Sequence, residues 1–353
     1  MTNALKPGAT IGILGGGQLG RMLSMAAARL GLKTHIFEPA ANPPAGDVAH
    51  RVTTAGYDDI EALKTFANSV DVITYEFENI PTEALDIIES LRPIRPTRDA
   101  LAVSQDRITE KAFLTNLGIT VAPYAQIDSL PDLTAALKTI GTPAILKTRR
   151  FGYDGKGQAR ITDISQAEDA LKALKGAPAV LEGFVNFTRE VSVIAARGID
   201  GAVVCYDPGE NVHKDGILDT TTIPATLAAG QHMDAILLAG KILNALDYIG
   251  VMGVELFVTD SGLIVNEIAP RVHNSGHWTQ NACVVDQFEQ HIRAIAGWKL
   301  GDGQRHANAV MTNLIGEDVL NHANLDGALH LYGKADVKPG RKMGHVNQIS
   351  PKA

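Results

Sequence analysis

The densest group of reactive side chains lies in residues 266–278, which read NEIAPRVHNSGHW. This stretch contains Glu267, Arg271 and His273 together with a second histidine and amide side chains, and it follows directly on the apolar residues 263–265. An exposed loop can be this polar, but it rarely follows a buried strand so closely. Carboxylates bind hard divalent cations, whereas arginine and histidine bind anions. We therefore expect Glu267 to hold a metal ion and Arg271 and His273 to bind an anionic reactant.

A predicted hairpin places a second carboxylate opposite Glu267. Residues 253–258 and 263–267 are apolar strand segments, and the residues between them read TDSG, a turn sequence. If the hairpin is centred on Ser261, Glu255 lies directly across from Glu267. Two carboxylates that face each other without a cation repel each other. Mg²⁺ takes one or two carboxylates together with nucleotide phosphates, so the pair predicts a Mg²⁺ site, with Mn²⁺ as the alternative ion.

A glycine-rich segment follows the predicted strand that ends in Lys147. Residues 149–158 read RRFGYDGKGQ, with a strand segment on either side. The P-loop pattern GxxxxGK[ST] followed by a helix is not present here. Such a hairpin tip can close over phosphates with its backbone amides, or it can be a plain flexible hairpin. The pair Tyr153 and Asp154 favours a closing lid, since a spacer does not need these side chains.

The N-terminal segment resembles a dinucleotide-binding fingerprint. A short apolar strand, residues 9–14, is followed by GGGQLG, a helix, a second strand and the acid Glu38. A tight glycine turn at a helix N-terminus also suits any other phosphate or carboxylate. Two interpretations therefore stay open for this motif: an NAD-dependent dehydrogenase, or an anion site of another kind of enzyme.

Glu76 follows another predicted parallel strand, residues 70–75. In an open α/β sheet, residues just past the carboxyl end of a strand face the ligand crevice. Glu76 is therefore a candidate for binding a substrate amine or hydroxyl. The alternative is that Glu76 and Glu78 only begin the next helix, where the helix dipole favours acids.

Three further sites are candidates on residue type alone. Glu182 and the backbone after it can bind a purine edge, and Glu190 can bind a ribose, although each is equally well explained as a solvated acid. Residues 338–345 read KPGRKMGH and can bind a substrate phosphate, or they can form an ordinary charged turn.

Composition limits the classes of function. The chain has 353 residues, 45% hydrophobic and 20% charged, which allows two or three globular domains. Its net charge of −7 disfavours nucleic acid as a partner. No apolar run approaches a membrane span and the N-terminus has no signal core, so we expect a cytoplasmic protein with two reduced cysteines.

Taken together, these segments resemble the ATP-grasp superfamily, and within it the N5-carboxyaminoimidazole ribonucleotide synthetases of purine biosynthesis. The resemblance covers nearly the whole chain in order. Its most specific parts are GGGQLGRM at residues 15–22, RRFGYDGKGQ at 149–158, VNFTREVS at 185–192, HKDGIL at 213–218, NEIAPRVHNSGHWTQ at 266–280 and PGRKMGH at 339–345. Dinucleotide-dependent enzymes share only the first of these.

The resemblance implies a role for each matching residue. The implied ATP-binding residues are Arg107, Lys147, Gly152, Tyr153, Asp154, Gly155, Lys156, Gly157, Gln158, Glu182, Gly183, Phe184, Val185, Glu190, His213, Asn266 and Glu267. Residues implied to bind the aminoimidazole ribonucleotide are Gln18, Leu19, Glu76, Tyr153, Asp154, Lys334, Arg341 and Lys342. The residues implied to bind bicarbonate and the carboxyphosphate made from it are Arg271, His273 and Asn274. Tyr153 and Asp154 are further catalytic candidates. Mg²⁺ falls to Glu255 and Glu267.

The resemblance also implies an architecture and a reaction. We expect an α/β chain with a Rossmann-like parallel sheet in residues 1–103, an α+β ATP-grasp domain in residues 104–296 and a small β-rich domain in residues 297–353. The nucleotide should lie between two sheets, under a lid subdomain in about residues 115–180. The expected enzyme is a homodimeric ligase that carboxylates 5-aminoimidazole ribonucleotide with ATP and bicarbonate. The remaining alternatives are another ATP-grasp ligase, such as a formate-dependent glycinamide ribonucleotide transformylase, and the dehydrogenase.

Overall fold

The computed structural model describes residues 4–152 and 156–352. The N-terminal part is a four-stranded, fully parallel sheet in the order β3-β2-β1-β4. Its strands are β1 (Thr10–Leu14), β2 (Lys33–Phe37), β3 (Arg51–Thr53) and β4 (Val72–Tyr75). The helices that follow them are α1 (Gln18–Arg29), α2 (Ile60–Asn68), α3 (Thr82–Glu89), α4 (Arg98–Gln105) and α5 (Arg107–Asn116). Strands β1, β2 and β4 are almost entirely buried, as expected for a parallel sheet whose two faces are covered.

A small antiparallel sheet comes next, in the order β5-β8-β6-β7. Its elements are β5 (Tyr124–Ile127), α6 (Leu130–Ile140), β6 (Ala144–Thr148), β7 (Gln158–Ile161), α7 (Ala167–Ala173) and β8 (Ala179–Gly183). The apolar faces of α6 and α7 pack on this sheet in a core of their own. The hairpin of β6 and β7 flanks the glycine-rich segment, with Lys147 pairing Gln158.

The largest sheet has nine strands and is antiparallel throughout, in the order β14-β13-β9-β11-β12-β15-β17-β16 with β10 beside β9. Its first six strands are β9 (Arg189–Arg197), β10 (Val203–Cys205), β11 (Gly209–Lys214), β12 (Ile217–Ile223), β13 (Gly250–Thr259) and β14 (Gly262–Ala269). Helices α8 (Ala229–Ala245), α9 (Thr279–Ala282) and α10 (Gln287–Ala296) accompany it. The last strands, β15 (Ala307–Ile315), β16 (Ala328–Leu331) and β17 (Lys342–Pro351), extend this same sheet through the pairing of β12 with β15. The β-rich C-terminal segment is therefore continuous with the large antiparallel sheet.

One hydrophobic core joins the two ends of the chain. Helix α1 packs against α10, and the same cluster contains Leu23, Ile292 and Tyr332 from three distant parts of the sequence. This packing holds the N-terminal glycine loop, the residues after β14 and the C-terminal strands in a fixed arrangement. No helix in the described chain combines the length and the apolar character that crossing a membrane requires.

Candidate active site

A cavity of about 620 Å³ opens where the three sheets meet. A cavity of this volume accommodates small molecules and cofactors. Most of the residues predicted from the sequence line it. These are Gln18, Leu19, Glu76, Arg107, Lys147, Gly152, Lys156, Gly157, Gln158, Glu190, His213, Glu255, Asn266, Glu267, Arg271, His273, Asn274 and Lys342. The fold thus brings segments from both ends of the chain to one cavity.

The hairpin of β13 and β14 pairs Glu255 directly with Glu267, as predicted. The route to this pairing differs from the expectation. Thr259 pairs with Gly262, so the turn contains only Asp260 and Ser261, and a bulge between Glu255 and Leu256 then shifts the register by one residue. A bulge of this kind redirects side chains locally and is common beside active sites.

The electrostatics of the carboxylate pair fit a divalent cation. Burial and the neighbouring Glu267 raise the pKa of Glu255 to about 7. Burial would also raise the pKa of Glu267, but Arg107 outweighs this effect and lowers it to about 2. The Arg107 guanidinium donates to Glu267 Oε2 at 2.9 Å. No cluster of three or more typical metal ligands occurs within residues 4–152 and 156–352.

A second group of residues surrounds the space beside this hairpin. The Lys147 ammonium donates to Glu182 Oε2 at 2.9 Å and lies on the cavity wall. His213 Nδ1 lies 2.9 Å from Glu190 Oε2. Burial alone would lower the pKa of His213, but the Glu190 carboxylate raises it above its usual value. Cations and a carboxylate here suit the phosphates and ribose of a nucleotide.

Two phenylalanines beside this group were not singled out from the sequence. Phe187 and Phe257 stack with ring centroids 4.6 Å apart, and both line the cavity. Phe257 stands two residues after Glu255 on the same strand, and alternate residues of a strand share a face. This two-residue spacing is the sequence signal from which Phe257 could have been predicted to face the cavity. An aromatic pair in a cavity provides an apolar surface for a planar base.

The first glycine loop is occupied by the protein's own carboxylates. Glu76 accepts hydrogen bonds from the backbone N–H groups of Gly17 at 2.5 Å and Gly20 at 2.8 Å. Glu38 accepts from Gly16 N–H at 2.8 Å. A Cβ on Gly17 would lie 2.7 Å from Glu76 Oε1, so the close approach requires glycine. These amides are the groups that would bind a pyrophosphate, and Glu38 is turned to the loop, so the dinucleotide interpretation is wrong.

Arg271 is held by Glu78 from the N-terminal part of the chain. Its Nε donates to Glu78 Oε2 at 2.6 Å and NH2 donates to Oε1 at 3.1 Å. Burial would raise the pKa of the Glu78 carboxyl, but Arg271 outweighs burial and the pKa lies below its usual range. The alternative in which Glu78 only begins a helix is therefore incomplete, because α3 starts at Thr82 and Glu78 binds a cavity residue. A fixed guanidinium of this kind can bind an oxyanion with its remaining N–H groups.

His273 and Asn274 are fixed just as firmly. The Gln287 amide clamps the backbone of His273, with Oε1 accepting from His273 N–H at 2.9 Å and Nε2 donating to His273 O at 2.8 Å. The amides of Asn274 and Asn313 exchange two hydrogen bonds of 2.9 and 2.8 Å. Burial and the charges of Arg271 and Lys342 lower the pKa of His273 to about 3, so its imidazole is neutral.

Several predicted residues lie elsewhere. Lys334 donates to Lys342 O at 2.6 Å and Arg341 NH1 donates to Asp336 O at 3.0 Å, and neither is part of the cavity wall. The segment from Glu182 to Val185 also lies outside the wall, with Glu182 buried behind Lys147. Nucleotide contacts by Glu182, Gly183, Phe184 and Val185, and substrate contacts by Lys334 and Arg341, stay predictions. Tyr153, Asp154 and Gly155 lie outside the described residues.

Comparison with known proteins gives one consistent result. Three family models match in order: the ribonucleotide synthetase preATP-grasp domain over residues 8–105, the ATP-grasp domain over residues 112–288 and the phosphoribosylaminoimidazole carboxylase C-terminal domain over residues 309–353. The N5-carboxyaminoimidazole ribonucleotide synthase of Brucella melitensis biotype 1 is 54% identical over 99% of this chain and 98% of its own length. This chain belongs to the N5-carboxyaminoimidazole ribonucleotide synthase family.

Other members of this family give the same result. The synthase of Bacillus subtilis is 40% identical over 96% of this chain and 91% of its own length. The solved ADP complex of an N5-carboxyaminoimidazole ribonucleotide synthetase superposes with a TM-score of 0.96 at 40% identity, covering 99% of this chain and 94% of the other. The Aspergillus clavatus synthase in complex with ADP and 5-aminoimidazole ribonucleotide superposes with a TM-score of 0.92 at 32% identity, covering 98% and 94%. The predicted fold class and ATP-grasp ligase assignment are thus confirmed. The boundaries at residues 103 and 296 stay predictions.

Proposed function

We propose that this protein carboxylates 5-aminoimidazole ribonucleotide with ATP and bicarbonate. The products are N5-carboxyaminoimidazole ribonucleotide, ADP and phosphate, in purine biosynthesis. One observation carries the proposal. The Glu255/Glu267 hairpin, the cations beside it, the Arg271–His273 segment and the first glycine loop all border one cavity. A single cavity with separate anion-binding groups suits a reaction that joins two anionic reactants after one of them is phosphorylated.

ATP binds between the large sheet and the small antiparallel sheet. Phe187 and Phe257 provide the apolar surface for adenine, and Glu190 with His213 lies where a ribose hydroxyl would be bound. Lys147 and the glycines at both ends of the lid hairpin border the same space. This placement is supported by the relatives solved with ADP or ATP.

Glu255 and Glu267 hold Mg²⁺, with Mn²⁺ as the alternative, and the Asn266 side chain lies next to them on the wall. Mg²⁺ binds one or two carboxylates, and a bound cation would offset the repulsion by which burial and Glu267 raise the pKa of Glu255 to about 7. When bound, such an ion neutralises phosphate charge. Arg107 donates to Glu267 and offsets its negative charge. Burial and the charge of Glu267 raise the pKa of the nearby Glu110 to about 8.

Bicarbonate binds at Arg271, His273 and Asn274. Bicarbonate is a poor nucleophile toward a polyanion, so cations must offset the charge on the phosphate that is transferred. Its oxygen attacks the γ-phosphorus, ADP leaves, and carboxyphosphate forms. Carboxyphosphate hydrolyses readily, and closure of the lid over the cavity would exclude water.

The ribonucleotide binds across the first glycine loop, at Gln18 and Leu19, with Lys342 on the opposite wall. Its exocyclic amine attacks the carboxyl carbon, the C–O bond to phosphate breaks and the amine loses a proton. From the sequence alone, the candidates for taking that proton are His273, Asp154 and the released phosphate. Tyr153 and Asp154 also stay proposed contacts to the ribonucleotide. We further propose a cytoplasmic homodimer.

Substrate-dependent turnover tests this function. ADP release should require the aminoimidazole ribonucleotide for its full rate, and labelled bicarbonate carbon should appear in the product. Turnover that ignores the ribonucleotide and rises with formate would instead favour the glycinamide ribonucleotide transformylase alternative.

A metal-site variant gives a second measurement. Glu267→Gln should lower turnover by at least about a hundredfold, because it removes one of two carboxylates and leaves Arg107 without its charged partner. Glu61→Gln, on the exposed surface of α2, is the matched control and should retain wild-type turnover. Near-normal activity of Glu267→Gln would remove Glu267 from the site.

A further inference from the structure

Two buried serines form a chain of hydroxyl groups that ends at His273. Ser192 Oγ donates to Ser275 Oγ at 2.7 Å, and Ser275 Oγ lies 2.8 Å from His273 Nδ1. Both serines are almost fully buried, at 2% and 1% exposure, so water does not compete for these hydrogen bonds. Neither hydroxyl has a role in the proposed reaction.

The direction of this chain is fixed at His273 by a backbone group. The Ser275 N–H points at His273 Nδ1 at 3.4 Å, and a backbone N–H can only donate. Because Nδ1 accepts from this N–H and Ser275 Oγ accepts from Ser192, the Ser275 hydroxyl can donate its own proton to Nδ1. An imidazolium has no nitrogen that can accept, so a ring whose Nδ1 accepts carries its single proton on Nε2.

The large sheet places His273 Nε2 beside the carboxylate hairpin. Ser192 on β9 pairs directly with Glu255 on β13, so the serine chain begins beside the carboxylate hairpin. His273 Nε2 lies 3.4 Å from Glu255 Oε1 and His273 lines the cavity. Gly253 leaves the space for this ring, because a Cβ there would lie 2.7 Å from His273 Cβ.

We propose that Ser192 and Ser275 are positioning residues that hold His273 in the Nε2–H tautomer, so that His273 donates a hydrogen bond to an oxyanion in the cavity. This inference rests on the proposed function, in which that oxyanion is the carboxyl group of bicarbonate or carboxyphosphate. This excludes His273 as the group that takes the amine proton, because its Nδ1 already accepts hydrogen bonds and its Nε2 already carries a proton. That proton then goes to Asp154 or to the released phosphate.

Nitrogen NMR tests the tautomer without reference to activity. In the ¹⁵N-histidine-labelled full-length enzyme, the His273 signals are assigned by their loss in His273→Gln. We expect Nδ1 to show the shift of an unprotonated nitrogen and Nε2 that of a protonated one. A protonated Nδ1 would overturn the proposal. Ser192→Ala should mix the two tautomers, whereas Ser192→Thr keeps the hydroxyl and should retain the wild-type spectrum.

Kinetics then separates a donor from a base. The amide N–H of glutamine lies near the position of Nε2, whereas asparagine does not reach it, so His273→Gln should retain at least about tenfold more turnover than His273→Asn. Equal loss in both variants would overturn the donor role. Ser275→Ala should lower kcat with little change in the KM for ATP. Its control is Ser24→Ala on α1, which removes a buried hydroxyl that has no hydrogen-bond partner among the described residues and does not line the cavity.

These outcomes are distinguishable from failure of the proposed function. If the wild-type enzyme shows the Nε2–H tautomer but does not incorporate bicarbonate carbon, the reaction is wrong and the tautomer assignment stands. If bicarbonate is incorporated and Nδ1 is protonated, the reaction stands and the serine chain does not have the proposed role.

Discussion

Glu78 and Arg271 form a two-point ion pair across 193 residues of sequence, with N···O distances of 2.6 and 3.1 Å. The pair joins the loop after β4 to the segment after β14, and Arg271 NH1 also donates to Val272 O at 3.2 Å. The guanidinium is therefore fixed before any reactant binds. Preorganised charge of this kind lowers the cost of stabilising an anionic transition state.

Glu78→Gln should therefore lower kcat by about tenfold to a hundredfold, because Arg271 loses a charged partner while its position becomes less defined. The measurement is steady-state ADP release with all three substrates. Asp86→Asn, which breaks the surface ion pair with Arg98, is the matched control and should retain wild-type kcat. Wild-type kcat in Glu78→Gln would show that Arg271 does not depend on this partner.

Glu76 and Glu38 both hold the first glycine loop, but only Glu76 lines the cavity. A glutamine at position 76 cannot accept from both Gly17 and Gly20 without turning its NH₂ group toward one of them. Glu76→Gln should raise the KM for the ribonucleotide by about tenfold or more, with a smaller effect from Glu38→Gln. Steady-state KM values for the ribonucleotide and ATP test this. An equal rise in both KM values for Glu76→Gln would contradict the placement of the ribonucleotide at this loop.

Lys342 and Arg341 are adjacent in sequence but differ in position. Lys342 lines the cavity, whereas Arg341 donates to the backbone of Asp336. Lys342→Ala should raise the KM for the ribonucleotide by about tenfold, because a charged hydrogen bond to phosphate is lost, and Arg341→Ala should have a smaller effect. The exposed Lys338→Ala is the control. An effect of Arg341→Ala as large as that of Lys342→Ala would show that Arg341 also binds the phosphate of the ribonucleotide.

The stability of the protein should fall in acid because of buried neutral histidines. Burial lowers the pKa of His291 to about 3, where its Nδ1 accepts from Val251 N–H at 3.1 Å and Nε2 contacts Thr74 Oγ1 at 2.8 Å. Between that value and the unfolded value of about 6.5, the unfolded chain binds more protons than the folded one, so the free energy of unfolding decreases as pH falls. His277 and His345 contribute in the same direction, since burial also lowers the pKa of both.

Urea unfolding between pH 7.5 and pH 5 measures this effect. His291→Gln should reduce the dependence on pH by up to about 1.4 kcal/mol per pH unit, the contribution of one linked proton. His322→Gln, at an exposed site, is the control and should keep the wild-type dependence. An unchanged pH dependence in His291→Gln would show that His291 is protonated equally in both states.

Much of the local structure followed from sequence patterns. The strand predicted over residues 9–14 is β1 (Thr10–Leu14), and the strand predicted over residues 70–75 is β4 (Val72–Tyr75). The strands around the first glycine loop and the lid were also predicted within a few residues. Such features depend on near neighbours, so the sequence contains the information needed to predict them.

The Glu255–Glu267 pairing shows the limit of that reasoning. A turn centred on Ser261 predicts the pair, yet the structure reaches it with a two-residue turn and a bulge beside Asn266. The shorter turn and the bulge shift the strand register in opposite directions, so Glu255 still pairs with Glu267. A bulge depends on what the strand packs against, so turn chemistry alone does not predict it.

Residue types along the sequence were sufficient to name most of the chemical groups of the site and the family they resemble. Only the tertiary structure determined which groups are already paired with each other. Glu76 and Glu38 bind the loop amides, Glu78 binds Arg271, and the serine chain meets His273. These partners are separated by up to 193 residues and meet because α1, α10 and the C-terminal strands share one core. A charge in the sequence indicates what a side chain can bind, whereas packing decides whether that charge faces its own chain or a ligand.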